Sequence, residues 1–381
     1  MFDSFSGLRG WLHRVPVLSG ILLVLMLTAC GGSDGPEPLP KMSADEAVNE
    51  LVGAARHPAA LAIRVTPAEV DVRLSGHRTV NGVAVGPDDR FPAGSLTKSM
   101  TATLAGVLVQ DGWLSLDSKL LEVLPEVAME ARSDYSGVTL RDLLAHRSGM
   151  FAAATPEEIS QLPELAGTPR QQRLQLIEWA LERVPSIAPG KATEYSNGGY
   201  VAAAAMMERV TGLDYETLLQ ERVFAPLAAS VEFGAPGSTG GPQGHGSRDG
   251  TAWTPFSADD PLIQFPAFAN PAGGALLRGS DLAAFLQMHL RALNSEAGQL
   301  LDPQTARELH TAVQDGYALG WLDGKDLDGR PVTWHNGSDD LSYYALMSLS
   351  TEQGVASAAM VNGLGPDTET AVSRVVSLML R

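Results

Sequence analysis

The chain has 381 residues, of which 44% are hydrophobic and 19% are charged, and this composition is typical of a globular protein long enough to bury a sizeable core. The formal net charge is −17, which argues against nucleic acid as a partner because phosphate binding needs a basic surface. The same charge argues against electrostatic attachment to anionic lipids.

Residues 1–30 have the pattern of a targeting segment. Arg9 and Arg14 precede an apolar run at 17–27 that is short for a membrane span. The run ends in Leu-Thr-Ala before Cys30, the only cysteine of the chain, and this ending resembles a bacterial lipobox. We therefore expect a lipoprotein signal peptide over 1–30 and a lipid anchor on Cys30, which would be the membrane contact. A plain signal peptide or an N-terminal anchor helix is the alternative.

The residues after Cys30 predict where the folded part begins and where it resides. Gly31, rather than an aspartate, follows the cysteine, which favours the periplasmic face of the outer membrane over the inner membrane within the bacterial cell envelope. Residues 31–42 are rich in glycine, proline and serine and predict a flexible linker. We expect one folded region over 43–381.

Hydrophobic periodicity divides the folded region into helices and strands. Ser43 and Glu46 have the spacing of a capping box, so a helix should begin at Ser43. Strands are predicted at 59–65, 70–74, 332–335, 343–349 and 355–361. Helices are predicted at 95–109, 140–145, 172–184, 200–211, 280–293 (capped by Ser280) and 368–380. Residues 232–275 are rich in glycine, proline and serine and predict a long, functional loop.

A serine and a lysine three residues apart form the first pattern with chemical meaning. Ser95 and Lys98 lie at the start of a predicted helix, where residues i and i+3 share a face, so hydroxyl and amine can meet. A serine becomes nucleophilic when a base takes its proton, and a lysine of lowered pKa can be that base. The helix N-terminus adds an N–H donor for an oxyanion. For the pair alone, a capped helix with a solvated lysine is the alternative.

The second pattern is Tyr-Ser-Asn in a predicted loop. Tyr195 offers a phenol that can shuttle protons beside a lysine, and Asn197 offers an amide that can hold a substrate carbonyl. For this tripeptide alone, an ordinary loop with an aromatic anchor is the alternative.

The third pattern ends a predicted strand and consists of His335, Asn336, Gly337 and Ser338. A glycine there permits close approach of a ligand to the backbone, and the N–H of Ser338 could be a second oxyanion donor. The alternative is a β-turn, because Asn-Gly favours turns. The following Asp339 and Asp340 are interpreted either as a solvated turn or as part of a pocket rim.

The order and surroundings of the three patterns resemble the penicillin-binding-protein-like serine hydrolases, particularly the class C β-lactamases and the esterases and D-amino-acid peptidases related to them. Those families carry S-x-x-K, Y-x-N and K-T-G or H-x-G in this order. Residues 91–98, 111–117, 140–149 and 195–227 are also similar to family segments, and the similarity extends over 43–381. It implies an α/β (α+β) fold with an antiparallel sheet, flanking N- and C-terminal helices and an inserted, mainly helical subdomain at about 96–268.

The resemblance also assigns roles to residues. It implies that Ser95 is the acylated nucleophile, that Lys98 is its general base or tunes that base, and that Tyr195 relays protons. The substrate-binding residues would be Asn197, His335, Asn336, Gly337 and Ser338. The backbone N–H groups of Ser95 and Ser338 would form the oxyanion hole. No metal or organic cofactor is implied, and the partner would be a small-molecule or peptide acyl substrate.

The implied activity is hydrolysis of an ester, amide or β-lactam through a Ser95 acyl-enzyme. His335 stands where K-T-G enzymes have a lysine that helps to bind the β-lactam carboxylate, and a histidine is mostly neutral at pH 7. This difference favours esters or peptides, and Leu341-Ser342 in place of a glycine also changes the pocket. The alternative is a non-catalytic or slowly deacylating penicillin-binding lipoprotein that binds cell-wall peptides. We interpret His146, in a similar segment, as structural.

Overall fold

The computed structural model describes residues 41–54, 56–153 and 156–381. The predicted signal peptide, the lipid anchor at Cys30 and residues 31–40 of the predicted linker lie outside these ranges and stay predictions. Within the described ranges, no helix combines the length and the hydropathy that a membrane span requires.

The strands of four or more residues lie towards the two ends of the described chain, and shorter strands lie between them. In chain order they are β1 (Ala59–Val65), β2 (Val70–Gly76), β3 (Phe91–Pro92), β4 (Glu232–Phe233), β5 (His245–Gly246), β6 (Thr254–Pro255), β7 (Ala275–Leu277), β8 (Leu322–Lys325), β9 (Pro331–Ser338), β10 (Tyr344–Ser350) and β11 (Val355–Val361). The segment predicted as a long loop, 232–275, therefore contains three two-residue strands and the start of a fourth strand.

Most helices lie between β2 and β8. They are α1 (Ala44–Asn49), α2 (Thr97–Gln110), α3 (Leu120–Val123), α4 (Leu140–Leu144), α5 (Pro156–Ile159), α6 (Pro169–Leu181), α7 (Asn197–Thr211), α8 (Tyr215–Leu219), α9 (Asn270–Gly273), α10 (Gly279–Leu293), α11 (Pro303–His310) and α12 (Thr368–Met379). Single π turns occur at Glu50–Ala54 and Gln220–Phe224, and 3-10 turns at Gly94–Leu96, Pro125–Val127, Ser133–Tyr135, Ala225–Leu227, Pro261–Ile263 and Ala267–Ala269.

A six-stranded sheet in the order β2-β1-β11-β10-β9-β8 joins the two ends of the chain. The paired neighbours are antiparallel. Because side chains alternate along a strand, Leu61 and Ile63 of β1 enter the large core shared with α2 and α10, whereas Ala60 and Ala62 enter a smaller core with α1 and α12. This mixed architecture with an antiparallel sheet confirms the predicted fold class.

The element boundaries show where local pattern was sufficient. β1 and β11 have the predicted bounds, and the capping box of Ser43 is formed. The predicted cap at Ser280 is wrong: α10 begins one residue earlier, and the Asp281 carboxylate accepts the N–H of Arg278 at 3.2 Å. The edge strand β8 was missed because Asp and Gly are disfavoured in strands.

A chain of buried histidines links the helix that follows the nucleophile to β9. Thr103 Oγ1 lies 2.9 Å from His289 Nε2, His289 Nδ1 lies 3.0 Å from His310 Nε2, and His310 Nδ1 lies 2.7 Å from Thr333 Oγ1. Burial lowers the pKa of His289 to about 3. Burial and the neighbouring His289 lower the pKa of His310 well below its usual value. Both rings are therefore neutral in the folded protein at neutral pH.

We expect the free energy of unfolding to fall as the pH drops below about 6.5, the unfolded pKa of histidine. Below this pH His289 and His310 bind protons in the unfolded chain but stay neutral in the folded protein. Each ring therefore lowers the free energy of unfolding by up to about 1.4 kcal/mol per pH unit. Urea denaturation between pH 8 and pH 5 measures this loss. His289→Asn should be less stable at pH 8 but have a shallower acid slope, and an unchanged slope would contradict the explanation. His77→Gln, at an exposed histidine, is the control.

Candidate active site

Two glycines let β9 run directly against the turn that carries Ser95. Gly94 begins this 3-10 turn with φ +52, and a Cβ on it would lie 2.8 Å from the Ser338 nitrogen. A Cβ on Gly337 would likewise lie 2.8 Å from the Ser95 nitrogen. Side chains at either position would push the backbones apart. The two N–H groups predicted to form an oxyanion hole, those of Ser95 and Ser338, are therefore brought close together.

Ser95, Lys98 and Tyr195 form one hydrogen-bonded group. The Nζ of Lys98 lies 3.0 Å from Ser95 Oγ, as expected for an i, i+3 pair at the start of a helix. The hydroxyl of Tyr195 lies 2.6 Å from the same Oγ, and its ring lies 4.6 Å from Nζ. Ser95 and Tyr195 remain partly exposed while Lys98 is fully buried, so substrate can reach the hydroxyl while water is kept from the amine.

The surroundings of Lys98 favour a neutral amine. Its Nζ lies 2.8 Å from Asn197 Oδ1 and 2.7 Å from the carbonyl oxygen of Ala272. These oxygens only accept hydrogen bonds, so they take two N–H groups and leave the lone pair of a neutral amine toward the Ser95 hydroxyl. Burial holds the pKa of Lys98 well below its usual value because it removes water from the charged form. The arrangement can accept the proton of Ser95.

Asn197 is engaged within the protein at both ends of its amide. Its Oδ1 accepts from Lys98, and its Nδ2 donates to the carbonyl oxygen of Ala153 at 2.8 Å. The residue begins α7, whose N-cap Ser196 accepts the N–H of Gly199. Asn197 therefore orients the lysine, and its predicted contact with substrate stays a prediction.

His335 is buried with both ring nitrogens occupied. Nδ1 lies 2.7 Å from the carbonyl oxygen of Asn336, to which it donates, and Nε2 lies 3.0 Å from the Tyr317 hydroxyl. Burial lowers the pKa of His335 to about 3, and the neighbouring Lys98 contributes to this shift in its protonated form. The ring is therefore neutral at pH 7. Its predicted role in substrate binding stays a prediction.

Asn336 and Ser338, at the C-terminal end of β9, contact neighbouring residues of the protein. Burial raises the pKa of Tyr344, and the Asn336 side chain lies close enough to the Tyr344 hydroxyl to lower that pKa. Tyr344 belongs to the smaller core. The Ser338 hydroxyl donates to the Tyr343 carbonyl oxygen at 2.9 Å. Contacts of Asn336, Gly337 and Ser338 with substrate stay predictions.

Asp339 and Asp340 differ in their surroundings. The Asp339 carboxylate accepts the N–H groups of Leu341 and Ser342 at 3.0 and 2.7 Å, and therefore holds the turn between β9 and β10. Asp340 is exposed. Burial raises the pKa of Tyr195, and the negative charge of Asp340 raises it further. Asp340 thus adds negative potential at the mouth of the site.

Two contributors leave no recognisable signal in the sequence. The Ala272 carbonyl is a backbone group and leaves no signal in a motif. Tyr317, which contacts His335, lies in a turn without a recognised pattern. The ring centroid of His146, which we interpret from the sequence as structural, lies 4.4 Å from that of Tyr195. In the described part of the chain, no cluster of histidine, cysteine or acidic side chains could hold a metal ion.

Comparisons with known proteins show which proteins this chain is similar to. The family model described as Beta-lactamase matches residues 44–377. The chain is 28% identical over 296 residues to penicillin-binding protein 4 of Amycolatopsis lactamdurans, covering 74% of each chain. It is 28% identical over 321 residues to the lovastatin esterase of Penicillium rubens, covering 70% of this chain and 79% of the esterase. A solved D-stereospecific amidohydrolase from Streptomyces sp. superimposes with a TM-score of 0.65 at 25% identity, covering 87% of this chain and 97% of that one.

Proposed function

The chain belongs to the Beta-lactamase family, whose relatives include serine hydrolases, and from that premise we propose that it hydrolyses an ester or amide through an acyl-enzyme on Ser95. The observation that carries the proposal is the buried amine of Lys98, 3.0 Å from the Ser95 hydroxyl. An amine of lowered pKa at hydrogen-bonding distance is what a serine needs to become nucleophilic.

In acylation, the neutral Lys98 takes the Ser95 proton while Oγ attacks the carbonyl carbon of the substrate. The new C–O bond moves an electron pair onto the carbonyl oxygen, which accepts from the N–H groups of Ser95 and Ser338. The proton then passes through the Tyr195 hydroxyl to the leaving group, and the bond from the acyl carbon to the leaving oxygen or nitrogen breaks. The raised pKa of Tyr195 keeps its hydroxyl protonated at neutral pH, as a relay requires.

Deacylation reverses these roles with water as the nucleophile. Water attacks the acyl carbon and gives its proton through Tyr195 to Lys98. The tetrahedral oxyanion again accepts from Ser95 and Ser338, the bond to Ser95 Oγ breaks, and Lys98 returns the proton to that oxygen. The products are a carboxylic acid and the free enzyme.

The charges around the site favour substrates without a carboxylate beside the scissile bond. His335 is neutral at pH 7 because its pKa is lowered to about 3, so it supplies no cation at the position of the K-T-G lysine. The exposed Asp340 repels a second negative charge. We therefore propose an ester or a D-amino-acid amide, rather than a β-lactam, as the preferred class of substrate.

A substrate panel tests the proposal. We would measure kcat/KM for a p-nitrophenyl ester, a D-amino-acid amide and a chromogenic cephalosporin that carries a carboxylate. The ester or the amide should exceed the cephalosporin by at least about tenfold, equivalent to about 1.4 kcal/mol. Asp340→Asn should raise the cephalosporin value and leave the ester value nearly unchanged. Fastest turnover of the cephalosporin would reject this substrate class.

A further inference from the structure

His146 lies beneath the Tyr195 ring at the end of a short helix. The chain leaves α4, and His146 adopts φ +57, a left-handed conformation that turns its side chain inward. The imidazole is 1% exposed. None of the proton transfers described above uses this ring.

The backbone on both sides of Tyr195 is bound to His146. The N–H of Ser196 donates to His146 Nδ1 at 3.0 Å, and the N–H of Glu194 donates to the His146 carbonyl oxygen at 2.8 Å. His146 therefore binds the peptide group that follows Tyr195 and the N–H of the residue that precedes it.

The imidazole also holds the Tyr195 ring itself. The ring centroids of His146 and Tyr195 are 4.4 Å apart, with an interplanar angle of 39°. The ring centroid of His146 also lies 4.4 Å from that of Tyr317, whose hydroxyl lies 3.0 Å from His335 Nε2. Through Tyr317 the loop bearing Tyr195 is packed to the strand bearing His335.

The protonation of His146 is fixed by these contacts. Because Ser196 donates to Nδ1, the neutral ring carries its proton on Nε2. That Nε2 is buried and has no hydrogen-bond partner among the described residues, which costs free energy. Phenylalanine would fill the space without this cost but could not accept the Ser196 N–H. The acceptor at Nδ1 is therefore the property that distinguishes histidine here.

We propose that His146 is a positioning residue that holds the Tyr195 hydroxyl against Ser95 Oγ, and that it takes no part in proton transfer. The proposal rests on the proposed function, in which Tyr195 relays protons. A hydroxyl displaced by about 1 Å from its reactive geometry costs on the order of 10²-fold in rate.

Two variants separate the contributions of ring and acceptor. His146→Asn keeps an acceptor near the place of Nδ1 and a side chain suited to the left-handed backbone, but removes the ring. His146→Phe keeps the ring and removes the acceptor. Each should lower kcat for an ester by about 10- to 100-fold with KM changed less than about twofold, because substrate binding is untouched. Unchanged kcat per folded molecule in both variants would overturn the proposal.

The pH profile separates positioning from a role as a base. The acid limb of kcat/KM belongs to Lys98, so it should stay at the same pH in His146→Asn. A shift of that limb would show that His146 exchanges protons and would overturn the positioning role. His57→Asn removes another buried histidine, which contacts Trp253, and should leave kcat unchanged.

A readout without turnover distinguishes this proposal from the proposed function. Absence of Ser95-dependent hydrolysis in the wild-type protein would reject the function alone. With 3-fluorotyrosine at position 195, ¹⁹F NMR should give one sharp line, and this line should shift or broaden in His146→Asn. An unchanged line would reject the positioning role whatever the activity.

Discussion

Replacing Ser95 with alanine is expected to lower kcat for a p-nitrophenyl ester by about 10⁶-fold. The substitution removes the oxygen that forms the acyl-enzyme, and among the described residues no other hydroxyl is hydrogen-bonded to both Lys98 and Tyr195. A fluorophosphonate probe should add once to the wild-type protein, and peptide mass spectrometry should place the adduct on Ser95. The variant should remain unlabelled while keeping the circular dichroism spectrum of the folded protein.

The control for this experiment is Ser136→Ala, at an exposed serine that directly follows a 3-10 turn, and this variant should be labelled like the wild type. Labelling that persists in Ser95→Ala would show that the nucleophile lies elsewhere. The lifetime of the adduct that a β-lactam forms with the wild-type protein distinguishes a penicillin-binding protein from a hydrolase. A long-lived adduct would favour the slowly deacylating penicillin-binding protein, whereas rapid release would favour a hydrolase.

Replacing Lys98 with methionine is expected to lower the rate of acylation by about 10²- to 10⁴-fold, the usual contribution of a general base. Methionine has a similar length and suits a buried position, so the chain should still fold. The oxygens of Asn197 and Ala272 lose their donor, and each such loss costs about 1–3 kcal/mol of stability. Thermal denaturation measures that cost, and single-turnover labelling measures the rate.

The pH dependence provides a second test of Lys98. Because only the neutral amine accepts a proton, wild-type kcat/KM should rise with pH through the Lys98 pKa, and burial places this rise well below the usual lysine value. The rise should disappear in Lys98→Met. Lys98→Arg should be equally slow because arginine stays charged. The control is Lys119→Met, at an exposed lysine paired with Glu122, which should retain full activity. Wild-type rates in Lys98→Met would show that Lys98 is not the base.

The sequence predicted the elements whose pattern is local. β1 and β11 have the expected bounds because their residues form mainly apolar runs that are buried on both faces of the sheet. The sequence pattern does not predict β8, because Leu-Asp-Gly-Lys is not typical of a strand. This strand forms through its pairing with β9. The start of α7 at Asn197 was placed at residue 200 because two glycines follow.

The sequence by itself determined the meeting of Ser95 and Lys98, because a spacing of three residues at a helix start places both side chains on one face. Only the tertiary structure decided the state of that lysine. Its amine is oriented by Asn197, 99 residues away, and by the Ala272 carbonyl, 174 residues away. Its pKa is lowered by burial. Burial and long-range hydrogen bonds depend on which distant segments pack together, and no local pattern encodes that.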